Sequence, residues 1–234
     1  MPSSTHSAPT AQAPGRRWLA ATLAGFALVL LWDQSGLDLA VARLWGGAQG
    51  FALRDNPFLD LYMHDAMQWL GWALAFALSI GVWFPFGVLR RLPVARRVQV
   101  VVSVLAALAL VGLLKHSSST SCPWDMAAFG GLAEPVSHWR WGLRDGGSGH
   151  CFPAGHAATG FAFVGGYFAL HRDAPRAARW WLLAALAVGA VLGLAQQMRG
   201  AHYTSHTLWT AWLCWLAGWL TDTLVQRLQR AAGR

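Results

Sequence analysis

"CFPAGHAATGFAF", residues 151–163, decides how this chain is read. A proline, two small residues and a histidine open an apolar run. Pro153 suits the first turn of a helix, and the run that follows reads as a buried or membrane helix. An imidazole at the mouth of such a helix implies chemistry only if other polar groups gather at the same end. The reading therefore moves outward from His156.

Apolar runs flank this stretch on both sides. Of 234 residues, 55% are hydrophobic and 12% are charged, which fits a small polytopic membrane protein better than a soluble domain. Fifteen tryptophans suit membrane–water interfaces. The net charge of +8 would suggest nucleic acid in a soluble protein. Here the arginines lie in short stretches between apolar runs, so membrane topology accounts for them and nucleic acid is set aside as a partner.

The fold expected is all-α: a six-transmembrane-helix bundle with spans near 17–32, 66–89, 97–115, 156–171, 180–198 and 206–225. Residues 1–15 read as a polar, disordered tail and 227–234 as a basic C-terminal tail, with a single membrane domain over 16–226. The first and fourth spans are short for a bilayer of about 30 Å and require tilt, thinning or burial. Arg16 and Arg17, then Arg90, Arg91, Arg96 and Arg97, then Arg172, Arg176 and Arg179, then Arg227, Arg230 and Arg234 all fall on one side of six spans. The positive-inside rule makes that side cytoplasmic, with both termini inside. The other side carries an amphipathic stretch at 33–65, a long polar loop at 116–155 and the turn at 199–205.

That outer side collects the reactive side chains. Lys115, the only lysine in the chain, ends span three; His156 starts span four; Arg199, His202 and His206 bridge spans five and six. Phosphoryl transfer needs such a set: cations and backbone N–H groups for a multiply anionic group, one histidine to attack and another to protonate the leaving oxygen. Gly155 lets a phosphate approach the backbone closely.

The residues "KHSSSTSCPW" (115–124), "FPAGHAATG" (152–160) and "AQQMRGAHYTSH" (195–206) carry a family resemblance. Their order and spacing are similar to the type-2 phosphatidic acid phosphatase (PAP2) superfamily, which also includes the vanadium haloperoxidases. The three motifs of that family are Lys, six residues, Arg-Pro; Pro-Ser-Gly-His; and Ser-Arg, five residues, His, three residues, Asp. The resemblance covers about residues 65–225 and extends to a divergent bacterial subgroup. It implies a six-span membrane protein with an outward-facing site. It makes Lys115 a phosphate-binding cation, His202 the nucleophile and His156 the general acid, with no cofactor and no metal.

The departures fall on charged or polar positions. Cys122 stands at the motif-one Arg, Ala154 at the motif-two Ser, Gln196 at the motif-three Arg and His206 at the Asp that orients the nucleophile. Two cations are lost. Arg199, one turn after Gln196, is the expected replacement, while His206 and Asp125 are candidates to orient His202. Cys122 and Cys151, each beside a motif, are a candidate disulfide if the loop faces an oxidising compartment. His64 and Asp65 read as interfacial, and His116, His138 and His150 take no role.

The function expected is an integral phosphatase of the bacterial inner membrane. It hydrolyses a lipid phosphate or pyrophosphate at the periplasmic face through a phosphohistidine; phospholipid, isoprenoid and lipid A phosphates are candidate substrates. Transfer to a second lipid, or non-catalytic binding of a phospholipid head group by a degenerate site, are the alternatives. A metal-dependent hydrolase is a weaker third reading, since "HYTSH" lacks the glutamate of a zinc-protease helix.

Overall fold

The computed structural model describes residues 14–232 except Trp141; residues 1–13 of the expected 1–15 tail and the last two residues lie outside the described residues. Helix α1 (Pro14–Gln34) is followed by a short α2 (Leu37–Ala42) and a two-residue hairpin, β1 (Gly46–Gly47) with β2 (Gly50–Phe51). A π-helical segment, Phe58–Ala66, runs directly into α3 (Met67–Ile80). Next come α4 (Val94–Ser117), α5 (Gly155–Phe161) joined by a 3-10 turn to α6 (Gly165–Leu170), α7 (Pro175–Met198) and α8 (Thr204–Ala232). The domain is mostly helical, and two helices, α4 and α7, are long and apolar enough to cross a membrane.

Each apolar run forms helix, but the second is displaced from its expected position. The expected span of 66–89 ends at Ile80, and its helical run begins instead at Phe58. The cause is local. Pro57 starts the run, Asn56 Oδ1 accepts the N–H groups of Phe58 and Leu59, and Pro85 and Gly87 (φ 49°) break the chain beyond Ile80. The amphipathic 33–65 stretch contains α2, the hairpin and most of the π-helical segment, and the hairpin departs from an all-α reading. Phe51 of β2 packs with Ala42, Met126, Phe129 and Ala133 in a small second core that caps the site end.

The run Gly155–Leu170 sits at the centre. Ala157, Ala158, Phe161, Ala162, Val164 and Phe168 are all buried, and α4, α7 and α8 surround them. Burial explains how a 16-residue run, about 24 Å long at 1.5 Å per residue, serves here. Glycine makes the packing possible. A Cβ on Gly160 would stand 2.3 Å from the Gly189 nitrogen of α7, and one on Gly218 would stand 2.7 Å from Gly165 Cα. Such backbone approaches pack helices without a large side chain between them. Gly160→Ala is expected to destabilise the fold by at least ~1–3 kcal/mol through overpacking, because backbone cannot rotate aside. Thermal unfolding in detergent checks this, with Gly112→Ala, where nothing lies within 4 Å of the new Cβ, as the control.

The end opposite the site is held by Asp222 of α8. It accepts from Arg172 Nη1 and Nη2, each at 2.9 Å, from Gln99 Nε2 at 2.9 Å and from Arg96 Nη1 at 3.3 Å. Two arginine-bearing segments, the start of α4 and the turn after α6, therefore meet α8 at one end of the bundle. Arg97 donates to the carbonyls of Val82, Leu89 and Leu92, closing the turn before α4.

Candidate active site

At the other end, the C-terminal ends of α4 and α7 meet the N-terminal ends of α5 and α8. Lys115, on the last turn of α4, donates from Nζ to the His150 carbonyl at 2.6 Å. His150 adopts a left-handed backbone (φ 58°), a conformation uncommon outside glycine, which directs that carbonyl inward. A Cβ on Gly155 would stand 3.2 Å from Lys115 Cδ, so glycine leaves the lysine room to lie across the start of α5.

The loop between them is tied at several points. A disulfide joins Cys122 and Cys151. Buried Asp145 accepts from the Ser121 N–H and Oγ, each at 2.6 Å, and from the Gly147 N–H at 3.1 Å. The Trp124 N–H donates to the Gly200 carbonyl, pinning the "CPWD" turn to the α7–α8 connection. Asp38 of α2 accepts the Ser205 N–H at 2.9 Å, placing a carboxylate at the N-terminus of α8.

His202 lies in that connection, buried, with Nδ1 2.8 Å from the Cys151 carbonyl oxygen. A carbonyl only accepts, so Nδ1 carries the hydrogen and Nε2 keeps its lone pair. Burial first, then the nearby Lys115, His206 and His156, hold the His202 imidazole well below its ordinary value; the Cys151 carbonyl opposes them and is outweighed. His202 is therefore a neutral imidazole at neutral pH, with its Nε2 lone pair available. The folded state resists protonating His202, while the unfolded chain takes up the proton near pH 6.5. This contribution is intact above about pH 6.5 and is lost below it, at up to ~1.4 kcal/mol per pH unit. Unfolding at pH 7.5 and pH 5 is expected to show that loss, and His202→Asn to reduce it.

Neither expected orienting residue holds His202. The His206 ring is 5.7 Å from it, centroid to centroid, at 64°, and among the described residues His206 Nδ1 has no hydrogen-bond partner. His206 instead packs edge-on to Phe152, with His138 stacked on that phenyl ring at 3.9 Å. Asp125 is engaged by Ser148 Oγ at 2.7 Å. The Cys151 backbone takes the orienting position, which side-chain motifs cannot reveal.

Arg199 stands at the expected corner but is engaged. Nη2 pairs with Asp60 at 2.7 Å and Nε donates to the Arg54 carbonyl at 2.9 Å. Buried Gln196 and Ala154 lie behind the site, while Arg140 and Arg144 are exposed on the loop. His64, read from sequence as interfacial, instead lies against His156, with ring centroids 3.7 Å apart at 33°. Its only advance signal was its place just before an apolar run. Below Lys115 and His156 a groove of about 540 Å³ descends between α3 and α4, walled by Trp72, Leu105, Leu108 and Val111.

The PAP2 superfamily model matches residues 97–230, more than half of the chain and a range that contains all three motif segments. The chain belongs to the PAP2 superfamily. A phosphatase-type activity on a phosphate ester comes with that membership. No curated protein and no solved structure matches the chain significantly. Within the PAP2 region, Lys115, His156 and His202 come from three separate elements and meet at one end of the bundle, and the two motif cations absent from the sequence leave Cys122 and Gln196 in their places.

Proposed function

We propose that this PAP2 protein is an integral membrane phosphatase that cleaves a lipid phosphate or lipid pyrophosphate at the periplasmic face of the bacterial inner membrane. The observation that carries the reading is the His202–Cys151 contact, which leaves Nε2 of a neutral imidazole free beside Lys115 and His156. His202 Nε2 attacks phosphorus in line as the P–O bond to the leaving group breaks. His156 gives its proton to the departing oxygen. Water then attacks the phosphohistidine, passing a proton to His156, and orthophosphate leaves with His202 restored. Lys115 and the backbone at Gly155 hold the phosphoryl oxygens.

Two features support a lipid substrate outside the cytoplasm. The groove joins a cationic head to an apolar wall, the shape of a phosphate on a hydrocarbon chain, and α1, α3, α4 and α7 expose leucine, phenylalanine and tryptophan on their outer faces. The disulfide suits an oxidising compartment, while most of the arginines collect at the other end. Phosphate release by the full-length protein in detergent micelles, measured over phospholipid, isoprenoid and lipid A phosphates with a chelator present, tests this. Release that survives chelation is expected. Release that requires a metal would overturn the mechanism. Transfer only to a second lipid would replace hydrolysis by phosphotransfer, and head-group binding without turnover would make the site a receptor.

A further inference from the structure

The segment Phe58–Ala66 touches the site twice, and neither contact belongs to a PAP2 motif. Its π-helical winding is rare and recurs at functional sites, where an extra residue per turn re-aims side chains. On one face, Asp60 pairs with Arg199. On the next turn, the His64 ring lies against the His156 ring at 3.7 Å and 33°. Asp65 Oδ1 is 2.6 Å from His64 Nδ1. That carboxylate accepts the Nδ1 hydrogen, leaving the Nε2 edge free. The His64 side chain keeps 30% of its surface open, so the edge is accessible.

We propose that His64, held by Asp65, is a third phosphate-facing histidine of this site. In its protonated form it supplies the cationic hydrogen-bond donor that is missing where Cys122 and Gln196 stand. The geometry requires little else. A phosphoryl group hydrogen-bonded to the edge of His156 lies alongside the edge of the ring stacked on it. Arg199, the replacement expected from sequence, is already engaged by Asp60 and the Arg54 carbonyl, whereas His64 Nε2 has no recorded partner among the described residues. Groups facing this pair are Asp60 and Asp65 from the same segment, His156 from α5, Lys115 from α4 and Arg199 from the end of α7.

This inference rests on the phosphatase reading only for its catalytic consequence, so the test uses sulfate, a tetrahedral dianion whose charge is constant from pH 5.5 to 8.5. Sulfate binding to the full-length protein in detergent is measured by calorimetry across that range. Wild-type affinity is expected to fall as pH rises. His64→Gln is expected to bind about tenfold more weakly at pH 5.5, the loss of one charge-assisted hydrogen bond. His64→Arg is expected to retain tight binding at pH 8.5, which a ring that merely packs would not produce. Asp65→Asn keeps the ring and is expected to weaken binding several-fold. With an active ester in hand, His64→Gln should raise KM more than it lowers kcat. Wild-type affinity and KM in folded His64→Gln and Asp65→Asn, or no sulfate binding by the wild type, would overturn the proposal. Sulfate binding that follows His64 without turnover of any ester would overturn the phosphatase reading and leave this one standing.

Discussion

His202→Ala is expected to abolish phosphate release, by roughly four orders of magnitude or more, with the fold retained. Removing a nucleophile that forms a covalent intermediate eliminates the pathway, and what remains is substrate positioning by the other groups. His202 is suited to that position for reasons visible in its surroundings. It is buried and neutral, its Nδ1 hydrogen is committed to the Cys151 carbonyl, and Lys115 and His156 are close. In the proposed mechanism His156→Ala removes the proton donor rather than the nucleophile, so a smaller loss of about 10²–10⁴-fold is expected. The double variant should be little worse than His202→Ala, since both residues serve one reaction path. Initial rates on an activated ester and on the natural lipid separate the two. A good leaving group needs no proton, so it should rescue His156→Ala and not His202→Ala.

Breaking the Cys122–Cys151 disulfide is expected to cost both stability and activity. The bridge closes a loop between residues 29 apart. Loop-closure entropy puts the loss in the double Cys→Ser variant at ~3.6 kcal/mol. Activity should fall further than unfolding alone explains, because the carbonyl that orients His202 belongs to Cys151 itself. Thermal unfolding and turnover, each with and without a reductant, check this. The wild type should lose both under reduction, while the double variant should be indifferent to it. The remaining cysteine, Cys214, is buried in α8 and gives reductant nothing accessible to act on. A wild type that keeps full turnover after reduction would detach the bridge from the chemistry.

What was legible in the sequence was what apolar runs and motif spacing record. Lys115, His156 and His202 were placed at one end of a helical bundle, and the structure brings them there. The displaced second helix was harder to read. Hydropathy continues through "GVWFPFG" (81–87), while the helix ends on the backbone properties of Gly81, Pro85 and Gly87. The hairpin at Gly46–Phe51 was missed because four of its six residues, 46–51, are glycine or alanine and carry no alternation. The groups that hold the reactive side chains were out of reach for a different reason. The carbonyls of Cys151 and His150 act through backbone, so residue identity says nothing about them. His64 meets His156 only because Pro57 and Asn56 start a helical segment earlier than hydropathy suggests, so the contact depends on where that segment begins.

The most direct test is to find where the phosphoryl group goes. Full-length protein is mixed with a turned-over lipid phosphate, quenched in alkali to preserve phosphohistidine, digested and mapped by mass spectrometry. The expected result is phosphate on His202 Nε2 that appears and decays within a turnover, is absent from His202→Ala and forms in the presence of chelator. Phosphate on another residue, or steady turnover by His202→Ala, would contradict the assignment of His202 as nucleophile.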